Sequence, residues 1–232
     1  MKTVLYTHAF LDLNLPGYSD NGRCRRLERF MHHYGNSWPV VLLDNGSATD
    51  TCTWIEAKYD IRVVNAQPHL PRIAVTDYPA IWRCYWYVKK LLEEYEKVVL
   101  IATDAYILSQ RLADYIEGLD SGWTALWSPK YNCPATEIQV IVRGCKAFED
   151  FFSGDFDLRY NGKMEETIVP LTHVEKSFVG DRYGEYEFPQ NGYAPGVQDY
   201  YTQVPDSLDW DDSVFPVLRR VAGKIQVRRL AP

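Results

Sequence analysis

Acidic side chains occur at three places in the sequence where a carboxylate could contact a ligand. Asp44 and Asp104 each follow a run of apolar residues, and Glu165 and Glu166 are adjacent later in the chain. A carboxylate at a strand end can accept hydrogen bonds from ribose hydroxyls or a base N–H, and one that faces a pyrophosphate can hold Mg²⁺ or Mn²⁺. A carboxylate that binds no metal can act as a general base. The pattern therefore predicts ligand binding or proton transfer.

Each of these acids also has a structural explanation. Asp44 could close a turn or cap a helix, and Asp104 could cap the helix that follows it. Glu165 and Glu166 could form the solvated first turn of a helix. Their order along the chain, more than any single acid, favours a shared site.

The stretch 97–106 predicts a buried strand that brings Asp104 to the edge of a sheet. Its apolar and β-branched residues are continuous up to Ala102, as expected for a strand covered on both faces. Residues 80–96 predict a helix just before it, because apolar residues recur there at helical spacing with charged residues between them. In open α/β sheets, ligands bind at the edge where such strands end.

Strands and helices alternate through the first half of the chain. The predicted strands are 2–6, 39–43, 61–64, 97–101, 123–128 and 137–142. The first predicted helix follows a cap at Asp20 or Asn21 and ends at Tyr34, and the others are about 51–59, 80–96, 109–118 and 144–152. This alternation predicts an α/β fold with a doubly wound, mostly parallel sheet, Rossmann-like in its first half, and an irregular second half in the same domain.

The composition predicts a soluble cytoplasmic protein. The five cysteines are odd in number and show no C-x-x-C spacing, and Met1 leads directly into a strand-like segment instead of a signal peptide. No apolar run approaches the ~20 residues of a membrane-spanning helix. We therefore expect no membrane insertion.

The charge distribution limits the predicted partners. A formal net charge of -6 argues against broad nonspecific binding to nucleic acid. The end of the chain is an exception, since it carries the basic residues Arg219, Arg220, Lys224, Arg228 and Arg229. We expect this basic tail to be solvated and partly frayed. The 17 Tyr and 7 Trp suit core packing and also a surface that stacks on sugars or bases.

Two motifs resemble those of GT-A fold glycosyltransferases, particularly the family 2-like enzymes. Residues 42–50 read Leu-Leu-Asp-Asn-Gly-Ser-Ala-Thr-Asp, and residues 102–104 read Ala-Thr-Asp. In that family the second strand ends in an Asp-Asp/Asn-Gly-Ser-x-Asp motif, and a later buried strand ends in D-x-D. The resemblance covers roughly 1–171 and implies a single GT-A-like domain over 1–232. Residues 1–128 would be its nucleotide-sugar-binding half, and 129–232 its acceptor-side half with the C-terminal tail.

The resemblance also implies roles for individual residues of the donor site. Asp44 would contact uracil or an equivalent base, and Thr7 would line the same pocket. Asn45 and Ser47, from the same motif as Asp44, would also bind the nucleotide sugar. Asp104 would contribute to donor binding from the D-x-D position.

The metal site implied by the family is incomplete in this sequence. Ala102 stands where the family has the first Asp of D-x-D, so Asp104 is left as the ligand for Mn²⁺ or Mg²⁺. His173 is the candidate for a further metal ligand, because such folds often use a late histidine.

The family carries an E-D motif where this chain has Glu165 and Glu166. By that correspondence Glu166 would be the base that deprotonates the acceptor hydroxyl, with Glu165 as the next candidate. Arg83 and Arg72 could contact the pyrophosphate, since guanidinium forks suit phosphate oxygens, or could form surface ion pairs.

The leading hypothesis is a metal-assisted, inverting, nucleotide-sugar-dependent glycosyltransferase, with a UDP-sugar as the favoured donor. The acceptor hydroxyl could belong to a glycan, a small molecule, a protein or a modified DNA base. A DNA-base-modifying transferase of bacteriophage type would suit the basic tail. A sugar-phosphate nucleotidyltransferase needs a Gly-rich loop after its first strand, which residues 7–11 lack. The missing first Asp permits a non-catalytic nucleotide-sugar-binding or glycan-binding protein.

Overall fold

The computed structural model describes residues 1–11, 22–71, 79–129, 131–152, 165–182, 198–202 and 216–229. The helices in these ranges are α1 (Gly22–Tyr34), α2 (Thr49–Tyr59), α3 (Pro79–Glu94), α4 (Gln110–Gly118), α5 (Lys146–Phe151) and α6 (Glu165–Ile168). The strands are β1 (Thr3–Ala9), β2 (Val40–Asp44), β3 (Arg62–Asn65), β4 (Lys97–Ile101), β5 (Tyr106–Ile107), β6 (Trp123–Ser128), β7 (Cys133–Val142), β8 (His173–Glu175), β9 (Gly180–Arg182), β10 (Tyr200–Thr202), β11 (Pro216–Val221) and β12 (Lys224–Arg229).

A seven-stranded sheet forms the centre of the molecule, in the order β3-β2-β1-β4-β7-β6-β8. The strands β3, β2, β1 and β4 are parallel to one another. β7 runs antiparallel to β4 and to β6, and β8 is parallel to β6. The predicted doubly wound, mostly parallel α/β sheet is therefore confirmed. We call the edge at which β1, β2, β3 and β4 end the carboxyl edge.

Both faces of the sheet are buried, which explains why its strands are apolar at consecutive positions. On one face Leu5 of β1 packs with residues of α1 and α4, including Phe30 and Leu112. On the other face Val4 packs with residues of α3 and α5, including Tyr85. Because strand side chains alternate with period 2, neighbouring residues of one strand enter different cores.

A buried lysine fixes the start of β4. The Lys97 side chain is within the core, with 1% of the residue exposed. Its Nζ donates to the carbonyl oxygens of Ile116 and Glu117, each at 2.8 Å. These carbonyls belong to the last turn of α4, which is where a cation is favoured by the helix dipole. β4 and α4 are therefore joined at the edge opposite to the carboxyl edge.

The C-terminal segment is a packed hairpin, so the expectation of a solvated and frayed tail is wrong for 216–229. β11 and β12 pair antiparallel and contact α1 and α4. Leu218 and Ile225 are each 1% exposed and belong to the core. The turn uses Ala222 and Gly223, with φ of 49° and 82°, as in a type I′ hairpin. His33 Nδ1 of α1 donates to the Pro216 carbonyl at 2.5 Å.

Among the described residues after 154, the strands are three to six residues long. A three-stranded sheet of order β5-β10-β9 joins this part of the chain to the turn after β4. The division into a nucleotide-sugar-binding half and an acceptor-side half stays a prediction. In the described part of the chain, every helix is too short or too polar to span a membrane.

Candidate functional site

The parallel strands bring Asp44 and Asp104 to the same edge of the sheet. Asp44 is the last residue of β2 and pairs in register with Ala9 of β1. Asp104 lies three residues beyond Ile101, where β4 ends. β1 lies between β2 and β4, so the two acids are about 10 Å apart by strand spacing. The prediction that both carboxylates lie at one edge is confirmed.

Asp44 closes the turn that connects β2 to α2. The residue is 0% exposed, and its two carboxylate oxygens accept from Ser47 N at 2.5 Å and Ser47 Oγ at 2.6 Å. Burial raises the pKa of Asp44, and the bonds from Ser47 act in the opposite direction. Ser47 Oγ in turn accepts from Leu11 N at 2.9 Å. The Asp44–Ser47 pair thus ties the segment after β1 to the end of β2.

Asn45 and Arg83 hold the loop that follows β3. The Arg83 residue is 5% exposed, and its Nη1 donates to the carbonyls of Ala66 at 2.6 Å and Pro68 at 2.7 Å. Asn45 Nδ2 donates to the Leu70 carbonyl at 2.8 Å. Since these groups bind protein carbonyls, Asn45 and Arg83 shape one wall of the carboxyl edge.

Two rings stack at the carboxyl edge, and we call them the ring platform: Phe10, directly after β1, and His69, in the loop after β3. Their centroids are 3.8 Å apart with an interplanar angle of 28°. His69 is exposed and Phe10 is half-buried. His69 Nδ1 lies 2.7 Å from the Asn45 carbonyl oxygen and 3.2 Å from Asn45 Nδ2. The ring platform is placed to stack on a planar ligand group.

Glycine is required beside the ring platform. Gly46 has φ of 90°, and a Cβ there would lie 2.5 Å from the His69 backbone N. The Gly of the motif at 42–50 is therefore explained by the close approach of the His69 loop.

Asp104 pairs with an arginine of α1. Arg26 Nη1 lies 3.1 Å from Asp104 Oδ2, and the side chains are 29% and 17% exposed. The turn that carries Asp104 is held by Ala105 N donating to the Ala102 carbonyl at 3.0 Å. Ala102 N donates to the Glu137 carbonyl of β7 at 2.9 Å, which continues the ladder between β4 and β7.

Thr7 lies inside β1 and not in the loop after it, because β1 extends to Ala9. Thr7 is 0% exposed, and its Oγ1 has no hydrogen-bond partner among the described residues. Thr7 is thus a buried strand residue near the carboxyl edge, and its contact with a nucleotide stays a prediction.

The structure separates His173 from Asp104. His173 pairs with Thr124 near the start of β6, and β8 is three strands away from β4. That spacing is about 14 Å. Along the strands, His173 is level with Val99 in the middle of β4, whereas Asp104 lies beyond the end of β4. His173 is exposed and lies 3.3 Å from Glu175. One metal ion cannot bind both His173 and Asp104 in this arrangement.

Glu165 and Glu166 begin the short helix α6, which contacts β7, the neighbour of β4. Oε2 of Glu166 is buried. The side chain of Glu165 and the whole of Arg72 lie outside the described residues.

Arg26, Phe10 and His69 were not among the site residues predicted from the sequence. Arg26 sits in an amphipathic helix where a charged residue predicts only a solvated face. Phe10 follows an apolar strand and His69 lies in a proline-rich connection, so their contact depends on the tertiary fold. Near the Phe10–His69 contact, the local sequence indicated only a turn around Gly46.

No protein-family model matches the sequence, and no curated protein matches it. Solved structures do resemble it. A glycosyltransferase involved in the glycosylation of the major capsid of PBCV-1 has 10% identity, a TM-score of 0.46, and a match over 88% of this chain and 94% of its own. Mannosyltransferase PcManGT from Pyrobaculum calidifontis, in complex with GDP-Man and Mn²⁺, has 16% identity, a TM-score of 0.38, and coverages of 68% and 48%.

The N-terminal part of TarS from S. aureus, residues 1–349 in complex with UDP-GlcNAc, has 16% identity and a TM-score of 0.32, over 55% of this chain and 34% of its own. Two of these three structures are named as a glycosyltransferase and a mannosyltransferase. At this identity, the case for the function of this chain rests on its own residues.

Proposed function

We propose that this chain is a nucleotide-sugar-dependent glycosyltransferase whose donor binds along the carboxyl edge. The observation that carries the proposal is the strand order β2-β1-β4, which puts the ring platform and Asp104 at the same edge. A base stacked on the ring platform and a diphosphate directed toward β4 would span the intervening strand. Ligands of open α/β sheets bind at this edge.

In this proposal the residues of the 42–50 motif act mainly by shaping the donor site. Asp44 and Ser47 hold the turn after β2, and Asn45 and Arg83 hold the loop that carries His69. Their polar groups bind protein atoms, so they position the ring platform and the pocket wall. UDP-sugars and GDP-sugars are the donor classes to test.

The proposed reaction is a single displacement at the anomeric carbon with inversion. The acceptor oxygen forms the new bond to that carbon while the bond to the diphosphate oxygen breaks, and the nucleoside diphosphate leaves with the electron pair. Glu166, on the helix that contacts β7, takes the proton of the acceptor hydroxyl. The acceptor stays unspecified in this proposal.

A divalent cation is part of the family chemistry implied by the motifs, where it would act as a Lewis acid at the leaving diphosphate. The described donor set does not fit such an ion. Asp104 is paired with Arg26, the side chain of Ala102 offers no ligand atom, and no cluster of three His, Cys, Asp or Glu residues occurs within the described ranges. No step of the proposed reaction is therefore assigned to a metal.

The test is donor binding and turnover with a panel of UDP-sugars and GDP-sugars, measured by calorimetry and by release of the nucleoside diphosphate. We expect one nucleotide class to bind and to be turned over. Glu166→Gln should lower turnover by at least about 100-fold with little change in donor affinity, the range typical of a lost general base. Glu149→Gln, an exposed acid of α5, is the matched control and should keep full turnover.

Three results would contradict the proposal in different ways. If none of the nucleotides binds, the proposed donor site is ruled out. Binding without turnover, tested with candidate acceptors, would favour a non-catalytic nucleotide-sugar-binding protein. Equal loss of donor affinity and turnover in Glu166→Gln would make Glu166 a structural residue of α6.

A further inference from the structure

The ion pair between Arg26 and Asp104 stands at the place where the family binds a cation. It joins α1 to the turn after β4, two segments 78 residues apart in the chain. Both side chains are partly shielded from water, at 29% and 17% exposed, so the pair is screened less than a surface pair. The Arg26 guanidinium therefore has a fixed position at the carboxyl edge.

A divalent ion and Arg26 compete for the same carboxylate. Mg²⁺ and similar ions need several oxygen ligands, of which one or two are carboxylates in nucleotide sites. At this turn the described chain offers Asp104 alone, since residue 102 is alanine and His173 lies three strands away. A bound ion would also stand next to a guanidinium of like charge, which disfavours its binding.

The beginning of α1 is rich in positive charge. Four arginines (Arg23, Arg25, Arg26 and Arg29) occur in its first eight residues, against one acid, Glu28. Glu28 is already bound by Lys58 at 2.5 Å. The first turn of α1 has no acidic residue, and the helix dipole adds positive potential there. This end of α1 therefore suits an anionic ligand group.

We propose that Arg26 takes the place of a divalent cation in this site and binds the diphosphate of the nucleotide donor, while Asp104 orients its guanidinium. This inference rests on the proposed function. An arginine carries five N–H donors in a planar fork, which matches phosphate oxygens. During the transfer, the same guanidinium stabilises the negative charge that develops on the leaving diphosphate. Asp104 is then a positioning residue and not a metal ligand.

The first experiment measures the affinity of the wild-type chain for UDP and for GDP, in EDTA and again with MnCl₂. We expect the Kd of the nucleotide that binds to differ by less than about twofold between the two conditions. A gain of about tenfold or more with Mn²⁺ would overturn the role of Arg26, since tenfold marks a substantial interaction.

The second experiment compares Arg26→Gln with Arg62→Gln. Arg62 also forms an ion pair, with Glu94 at 2.9 Å, but lies at the start of β3, away from the carboxyl edge. Arg26→Gln should lower the affinity for the nucleoside diphosphate by at least about tenfold and reduce the salt dependence of that binding. It should leave the affinity for the unphosphorylated nucleoside unchanged. Arg26→Lys should restore part of the affinity, because it keeps the charge but loses the fork.

Equal diphosphate affinity in the Gln variants of Arg26 and Arg62 would overturn the inference. An equal loss of affinity for nucleoside and nucleotide in Arg26→Gln would also overturn it, because that result indicates a structural role for Arg26. If neither UDP nor GDP binds the wild-type chain with or without Mn²⁺, the proposed function fails and this inference fails with it. If binding requires Mn²⁺, only the inference about Arg26 fails.

Discussion

Mild acid should destabilise this protein through a buried histidine of α1. His33 is 0% exposed, and its ring packs edge-on against Tyr34 and Tyr106. Burial lowers the pKa of His33 from 6.5 to about 3. The folded chain therefore keeps His33 neutral, whereas the unfolded chain takes up a proton below pH 6.5. The contribution of His33 to the free energy of unfolding is therefore fully present above pH 6.5 and is lost progressively as the pH falls toward 3.

The size of the effect follows from the two pKa values. One pKa unit corresponds to about 1.36 kcal/mol of free energy. A pH of 5 is about 1.5 units below the ordinary pKa of histidine, so His33 is protonated in the unfolded chain but still neutral in the folded chain. This difference at His33 alone should remove about 2 kcal/mol of unfolding free energy. Because small domains have about 5–15 kcal/mol in total, this loss is measurable.

The assay is urea unfolding at pH 7 and pH 5 for the wild type, His33→Gln and His32→Gln. His32 is the adjacent, exposed histidine of the same helix and serves as the matched control. His33→Gln should reduce the pH-dependent loss by about 2 kcal/mol, and His32→Gln should keep it. The reasoning is refuted if the wild type and His33→Gln lose the same free energy of unfolding between pH 7 and pH 5.

Three further predictions concern the site and the hairpin. Gly46→Ala should cost at least about 2 kcal/mol more unfolding free energy than Gly223→Ala, because both glycines have positive φ but only Gly46 is packed against backbone; equal costs in thermal unfolding would contradict this. Phe10→Ala should weaken nucleoside binding by about 1–3 kcal/mol in calorimetry, whereas Trp54→Ala, an exposed ring on α2, should not. Leu218→Ala should cost about 2–5 kcal/mol in urea unfolding, and a cost near zero would mean that the hairpin is not packed on the core.

Much of the central sheet could be predicted because its strands are covered on both faces. The apolar runs that end at Asp44 and Ile101 are typical of buried parallel strands, and they form the centre of the sheet. The hairpin 216–229 could not be predicted in the same way. It carries as many arginines as buried residues. That the apolar residues Leu218 and Ile225 belong to the core becomes evident only in the fold, where α1 and α4 cover them.

The site was predictable only where a local motif carries the chemistry. The Asp44–Ser47 turn follows from short-range hydrogen bonds that a polar residue can make to the backbone three residues on. The Arg26–Asp104 pair and the Phe10–His69 stack join distant segments, and nothing in either local sequence indicates the partner. His173 shows the converse, because a suitable residue type at a suitable point in the order lies three strands away from β4 and short of the carboxyl edge.

The buried ammonium at the start of β4 makes Lys97 an internal reporter. Amine-reactive labels attack accessible, deprotonated lysines, and Lys97 is 1% exposed with its Nζ bound to two carbonyls. Lys146, whose side chain is 83% exposed, should react at once. Mass spectrometry of labelled peptides would therefore follow the separation of β4 from α4 at a single native residue, without any substitution in the chain.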